Sequence, residues 1–305
     1  MRNSVIAQLE KLAEIDENIY LLTGDLGFGV LDNFAITYPN RFINAGISEQ
    51  NMTAVAAGMA LENNTVYTYS IGNFPTLRCL EQIRNDICYH NANVKIIVVG
   101  GGFAYGQLGM SHHATEDIAI MRALPNMKVF SPADPDEAVE VIKYVNSIQG
   151  PCYIRLGKGR EPRIHADYGN YSVHKVMELY KGDKIAIIST GSVLGEAKKA
   201  VEELKSYDIN VGLYNVISIK PLDEDSIKNI AKQYETIISL EEHNNIGGLG
   251  GAISEVLSGM SSNKAVLVRM GLEDVYTSIV GSQDFLREYY GLSASAIKEK
   301  IKDYL

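Results

Sequence analysis

Short apolar runs alternate with segments of helical period along almost the whole chain, which restricts the fold to helices layered on largely parallel sheets. Ile19–Thr23, Thr65–Tyr69, Val94–Val99, Lys128–Ser131 and Cys152–Arg155 read as strands. Gln50–Leu61, Leu77–His90, Glu116–Ala123 and Pro135–Val145 read as the helices between them, making one doubly wound unit. After GKGREPRIHADYGN, rich in Gly, Pro and charge, the rhythm restarts with KIAIISTGS, VGLYNVISI, ETIISLEEH and AVLVRMG. The expected fold class is therefore α/β with two doubly wound domains, at residues 1–165 and 181–305, joined by a linker at 166–180. A chain of 305 residues with 46% in the apolar set can fill two such cores.

Charge narrows the function classes. The net charge of −9 and the pI near 5.2 speak against the broad basic surface that nucleic acid or anionic membrane would need. The opening MRNSVIAQLEKLAEIDENIY alternates charged and apolar residues at helical spacing and lacks the pattern of a secretory signal. No run reaches membrane-spanning length. Cys79, Cys88 and Cys152 form neither a CxxC nor a Cys/His cluster, and read as plain thiols in a reducing, cytoplasmic setting. Small-molecule chemistry fits this composition best.

Several residue groups are candidates for chemistry. In NAGISEQNM, Asn44 to Met52, Ser48 could cap the helix that follows and Glu49 could serve its dipole, or Glu49 could be a functional carboxylate; the residues alone leave both open. His112 and His113 lie in a Gly-flanked loop without a third ligand at metal spacing, so no metal site is expected there. Glu116 and Asp117 supply negative charge to the next helix start. Asp25, in TGDLG, suits a strand-to-loop turn. The IGGLGG run suits a packing or turn role rather than a dinucleotide loop.

GISEQNM followed by its Ala/Gly-rich helix resembles the pyrimidine-domain signature of the transketolase family and its relatives. The likeness continues in order through Phe74, RCLEQIRND from Arg78, GMSHHATEDIAIMRALPNM from Gly109, SPAD from Ser131, PCYIRLGKG from Pro151 and SLEEHNNIGGLGGAISEVL. Essentially the whole chain is covered. The first domain is thus expected to be a pyrimidine-type domain that binds thiamine diphosphate, and the second to resemble the transketolase C-terminal domain. The resemblance implies that Glu49 hydrogen-bonds the ring nitrogen of the cofactor's aminopyrimidine and activates it, with His112 as the second catalytic residue. Phe74 matches the aromatic residue that stacks on the same ring, and Ile71 falls where relatives often carry a second aromatic. Asp25 matches a segment near the cofactor, the substrate channel and the subunit contact. His112 matches the histidine that faces the substrate's reactive carbonyl and hydroxyls, and His113 stands where many relatives have Gln. Arg155 matches an arginine that grips the substrate phosphate, a task suited to a bidentate guanidinium.

Departures from the family pattern shape the substrate expectation. Gly29 stands where a serine is common, and Gly100 where a histidine is common. Gly106-Gln107-Leu108-Gly109 replaces the usual Gly-Glu-Asp-Gly, and a leucine cannot accept a sugar hydroxyl's hydrogen bond. Leaving a buried hydroxyl unpaired there costs about 1–3 kcal/mol. With Gln107 and Leu108 lining the substrate, a non-standard sugar is expected: deoxy, unphosphorylated or nucleotide-linked, or else a pyruvate-derived acyl group. The family's Gly-Asp-Gly metal segment is missing. A separate N-terminal transketolase subunit is therefore expected to carry the diphosphate-binding domain and to hold Mg2+ or Ca2+, in an α2β2 heterotetramer. Two-carbon ketol transfer from a ketose to an aldehyde is the first reading. Decarboxylating acyl transfer from a 2-oxo acid, as in deoxyxylulose-phosphate synthase or a dehydrogenase β subunit, and a non-catalytic assembly subunit are the alternatives.

Overall fold

The computed structural model describes residues 1–159, 161–165, 172–261 and 265–305. Their strands are β1 Ile19–Thr23, β2 Phe42–Asn44, β3 Thr65–Ile71, β4 Val94–Val99, β5 Lys128–Phe130, β6 Cys152–Leu156, β7 Met177–Tyr180, β8 Ile185–Ser189, β9 Gly212–Asn215, β10 Ser218–Lys220, β11 Thr236–Asn244 and β12 Val266–Leu272. Among the described residues they form two sheets, ordered β10-β5-β6-β4-β3-β1-β2 and β12-β11-β8-β9-β7. All pairings among them are parallel except the edges β10–β5 and β7–β9.

Parallel strands covered by helices on both faces need apolar residues at every position rather than at alternate ones. VKIIVV of β4 meets this demand with six buried residues. Its Lys95 is fully buried yet satisfied: Nζ donates to Ile148 O and Gly150 O at 2.9 and 2.8 Å. Desolvation pushes this ammonium down to about 8. Helix Pro135–Ser147 covers one face, opened by Asp134, whose side chain accepts the amides of Asp136 and Glu137 ahead of a first-turn proline. Its Ala138, Val141, Ile142 and Val145 pack with Val5, Ile6 and Leu9 of helix Arg2–Ile15.

Three findings differ from the sequence reading. The linker expected at 166–180 lies outside the described residues over 166–171, and its last part, Met177–Tyr180, is the antiparallel edge of the second sheet. Strand β10, from the second half of the chain, closes the edge of the first sheet, so the two units share backbone bonds. The single helix expected over Leu77–His90 is instead a turn at 77–79, a short α-helical piece Leu80–Gln82 and a π-helix Ile83–Cys88, preceded by a separate short helix Asn73–Thr76. Ile83, Ile87 and Cys88 are the buried residues of this π-helix.

Candidate active site

In an open parallel sheet the ligand crevice lies beyond the carboxyl ends of the strands, where the winding reverses. Here the reversal is at β1, which has β2 on one side and β3 on the other. Glu49 opens the helix that follows β2, and Phe74 sits in the short helix after β3.

The side chain of Glu49 decides between the two readings left open by the sequence. A carboxylate that only served a helix dipole would stay in water, whereas Glu49 is 2% exposed. Ser48 makes no side-chain cap bond, so the helix start is not organised as a cap. Arg78 Nη1 donates to Glu49 Oε2 at 2.9 Å, and its guanidinium lies over the Phe74 ring at 4.6 Å. Arg78 is thus a site residue that spacing arguments missed. It heads the RCLEQIRND run, but nothing in that run signals an ion pair to a residue 29 positions away.

His112 reaches the same place from another loop. Its ring meets Phe74 edge to face with centroids 5.1 Å apart, and Ser111 Oγ lies 3.0 Å from His112 Nδ1. Asn73 holds the loop by donating to His113 O at 2.7 Å. Burial and the neighbouring His113 lower the pKa of His112 below its usual 6.5, which favours the neutral ring at pH 7. Glu49, Arg78, Phe74 and His112 are therefore one contiguous cluster.

The remaining site expectations divide. Asp25 is exposed at the end of β1 and exchanges hydrogen bonds with the Asn44 side chain, at 2.9 and 3.1 Å. Ile71, half-buried, ends β3 three residues before Phe74. Gln107 and Leu108 lie exposed on the 3-10 turn Gly106–Leu108 of the His112 loop.

Two residues expected to bind substrate are already engaged within the chain. His113 is buried, with Nε2 3.2 Å from Gly106 O and its ring 5.3 Å from that of Phe103, so it braces the loop from inside. Arg155 does not offer a free fork to a phosphate. Its Nε donates to Asp117 Oδ2 at 2.8 Å and its Nη2 to Ala114 O and Glu242 O at 2.8 and 3.0 Å, all of it buried. A guanidinium committed in this way is a structural ion whose removal would strand Asp117 in the interior.

The glycine at position 100 also has a physical cause. Its φ is +96°, and a Cβ there would lie 2.2 Å from Tyr105 Cδ2. The Tyr105 ring occupies the space that a larger residue would need, with Lys158 Nζ 4.9 Å from its centroid and the His112 ring 6.4 Å away. Tyr105 is a second residue of this region that the sequence did not single out.

A buried carboxylate joined through one arginine to a half-buried aromatic ring fits the aminopyrimidine end of thiamine diphosphate. Among the described residues no group of three His, Cys, Asp or Glu side chains is placed to hold a metal ion. In the second unit, the Glu241 carboxylate accepts the amides of Leu249 and Gly250 at 2.7 and 2.8 Å. The anion position of the IGGLGG turn is thus filled from within the chain, in line with a packing role.

Comparison with known proteins agrees with this geometry. The family model for the transketolase pyrimidine binding domain matches residues 1–162, and that for the transketolase C-terminal domain matches residues 174–297. A protein of Methanocaldococcus jannaschii named as a transketolase C-terminal section is 38% identical over 99% of this chain and 95% of its own length. One of the subunits of the apulose-4-phosphate transketolase of Actinobacillus succinogenes is 35% identical over 87% of this chain and 85% of its own. A solved structure titled as a split-gene transketolase in an inactive β4 tetramer superposes with a TM-score of 0.88 at 33% identity, covering 99% of this chain and 96% of that one. With both domain models matched in order and relatives aligned nearly end to end, the chain belongs to the transketolase family.

Proposed function

We propose that this chain is the pyrimidine-binding subunit of a split, thiamine-diphosphate-dependent transketolase that moves a two-carbon ketol unit from a ketose to an aldehyde. The observation that carries this is the buried Glu49 carboxylate, linked through Arg78 to the Phe74 ring, with the His112 ring 5.1 Å from that of Phe74. Thiamine diphosphate, when bound, supplies the electron sink that carbon–carbon cleavage needs. Glu49 would share a proton with the ring nitrogen of the aminopyrimidine when the cofactor is bound. Phe74 orients that ring through its flat face. His112, steadied at Nδ1 by Ser111, presents Nε2 to the substrate's oxygens and moves protons there.

A second polypeptide completes the site, binding the diphosphate through Mg2+ or Ca2+ in a cytoplasmic α2β2 assembly. Phe28, Ile47, Leu77, Leu108 and Met110 support this: all are exposed, and all flank site residues in the sequence. Large apolar side chains gathered about a polar centre mark a surface that a partner covers. The relative found as a β4 tetramer is described as inactive, as expected of a chain that holds only one end of the cofactor.

The substrate is a non-standard sugar. Leu108 stands on the exposed turn of the His112 loop and cannot accept a hydroxyl hydrogen bond. A relative named for apulose-4-phosphate fits such a shift in specificity. Co-expression with the partner gene, followed by product analysis on a panel of ketoses and aldehydes, tests the proposal. Ketol transfer that vanishes in Glu49→Ala is expected. Unchanged activity in that variant, release of carbon dioxide from pyruvate, or fastest turnover on ordinary pentose phosphates would refute it.

A further inference from the structure

The loop that carries His112 is gripped from the second unit, and one carboxylate makes the central contact. Glu242, at the end of β11 and 3% exposed, accepts the backbone amide of Phe103 on Oε1 at 2.6 Å. The same carboxylate receives Gln283 Nε2 at 2.8 Å and the Nε of Arg287, whose Nη2 in turn donates to Ser192 Oγ at 2.8 Å. Its neighbours extend the grip along the chain. Glu242 O accepts Arg155 Nη2, Asn244 N donates to Thr115 O at 2.8 Å, and His243 Nε2 accepts the amide of Ala119 at 3.3 Å. Gly281 N donates to Gly106 O at 3.3 Å, beside the His113 bond to the same oxygen. Residues 103 to 119 are thus tied to the second unit at several points on either side of His112, while Asn73 of the first unit holds the carbonyls of Ser111 and His113 between them.

The backbone is shaped for this contact. Gly102 has φ +62°, and a Cβ there would lie 2.3 Å from Glu242 Oε1, so the carboxylate fits only against a residue without a side chain. On either side of it, Gly102 N donates to Ala114 O at 2.8 Å and Ala114 N to Gly102 O at 3.2 Å, which fastens the two ends of the loop together. Glu242 therefore bears on a point where both ends of the His112 loop meet. A charge-assisted bond from a buried carboxylate to a backbone amide is strong and directional, and costs little once folding has placed it.

We infer that Glu242, with Arg287 balancing its charge, is a positioning residue for the reaction: the second unit sets the distance between His112 and Phe74 through it. This rests on the proposed function for its kinetic consequences but not for its structural one. Glu242 touches neither Glu49 nor Phe74, so cofactor binding and loop placement separate under mutation.

The test uses the full chain, alone and paired with its partner. In Glu242→Ala, amide hydrogen exchange over 103–113 in the chain alone should speed up at least tenfold, while the Glu49 helix, 49–61, exchanges as in wild type. In the paired enzyme kcat should fall roughly a hundredfold, the scale on which a displacement near 1 Å acts, with the apparent affinity for thiamine diphosphate unchanged. Glu242→Gln, which keeps the acceptor for Phe103 N–H, should restore most of both. If Glu242→Ala does not fold, Gly102→Ala displaces the carboxylate instead and should give the same pattern. Wild-type exchange over 103–113, wild-type kcat, or losses spread equally over cofactor affinity and every segment would overturn the inference. A wild-type pair without ketol transfer would defeat the functional reading alone and leave the exchange result to judge the clamp.

Discussion

Removing the guanidinium of Arg78 should expose how the site holds a buried negative charge. Glu49 is 2% exposed and among the described residues only Arg78 bonds its carboxylate, at 2.9 Å, while the Arg78 side chain itself is 48% exposed. A hydrogen bond to a charged group contributes about 1.5–3 kcal/mol, and an ion pair in open water about 0.2–1 kcal/mol. The half-exposed arginine places this pair between the two ranges, at about 1–1.5 kcal/mol. The guanidinium also lies over the Phe74 ring, a contact worth about 0.5–1 kcal/mol. That contact is lost in Arg78→Met whether or not Glu49 is charged, so it cancels in a double-mutant cycle with Glu49→Gln. Urea unfolding of the four proteins, followed by far-UV circular dichroism because the chain has no tryptophan, reads the coupling directly. A coupling near 1 kcal/mol is expected, with Arg78→Met less damaging in the Glu49→Gln background. Additivity within about 0.3 kcal/mol would show that the carboxylate does not depend on Arg78.

Other perturbations probe other parts of the site. Leu108→Asp should raise kcat/KM for ordinary ketose phosphates about tenfold, near the low end of the value of one buried hydroxyl contact, and should lower it for the native sugar; an unchanged ranking of substrates would remove Leu108 from specificity. Because burial and His113 hold the pKa of His112 below 6.5, the neutral ring persists as pH falls, so the acid limb of kcat should lie below pH 6.5 and disappear in His112→Gln. A limb centred above pH 7 would contradict this. Glu241→Ala leaves the amides of Leu249 and Gly250 without their acceptor, and should destabilise the chain by about 3 kcal/mol; a loss under 1 kcal/mol in urea unfolding would argue against the capping role.

What the sequence made legible was mostly local. Strands β1 and β4 were placed residue for residue because continuous apolar runs between turn residues leave little choice. Glu49, Phe74 and His112 came from a resemblance carried by contiguous motifs, and the fold brings Phe74 and His112 into contact, with Arg78 joining Phe74 to Glu49. The missed features are long-range. Arg155 was expected by resemblance to grip a phosphate, and no spacing shows that Asp117 and two carbonyls surround it. Arg78 pairs with Glu49 at the start of another helix, and the Tyr105 ring meets Lys158 from beyond β6. Strand β10 has only three residues, and its place in the first sheet depends on how the second unit packs.

The most direct test follows the exchange of the thiazolium C2 proton into deuterated water by NMR, in the paired enzyme with thiamine diphosphate at saturation. Wild type should exchange it far faster than Glu49→Gln, by about 100-fold or more, the usual scale of a positioned acid–base group. Equal rates at equal cofactor occupancy would mean that the buried carboxylate of Glu49 does not act on the cofactor.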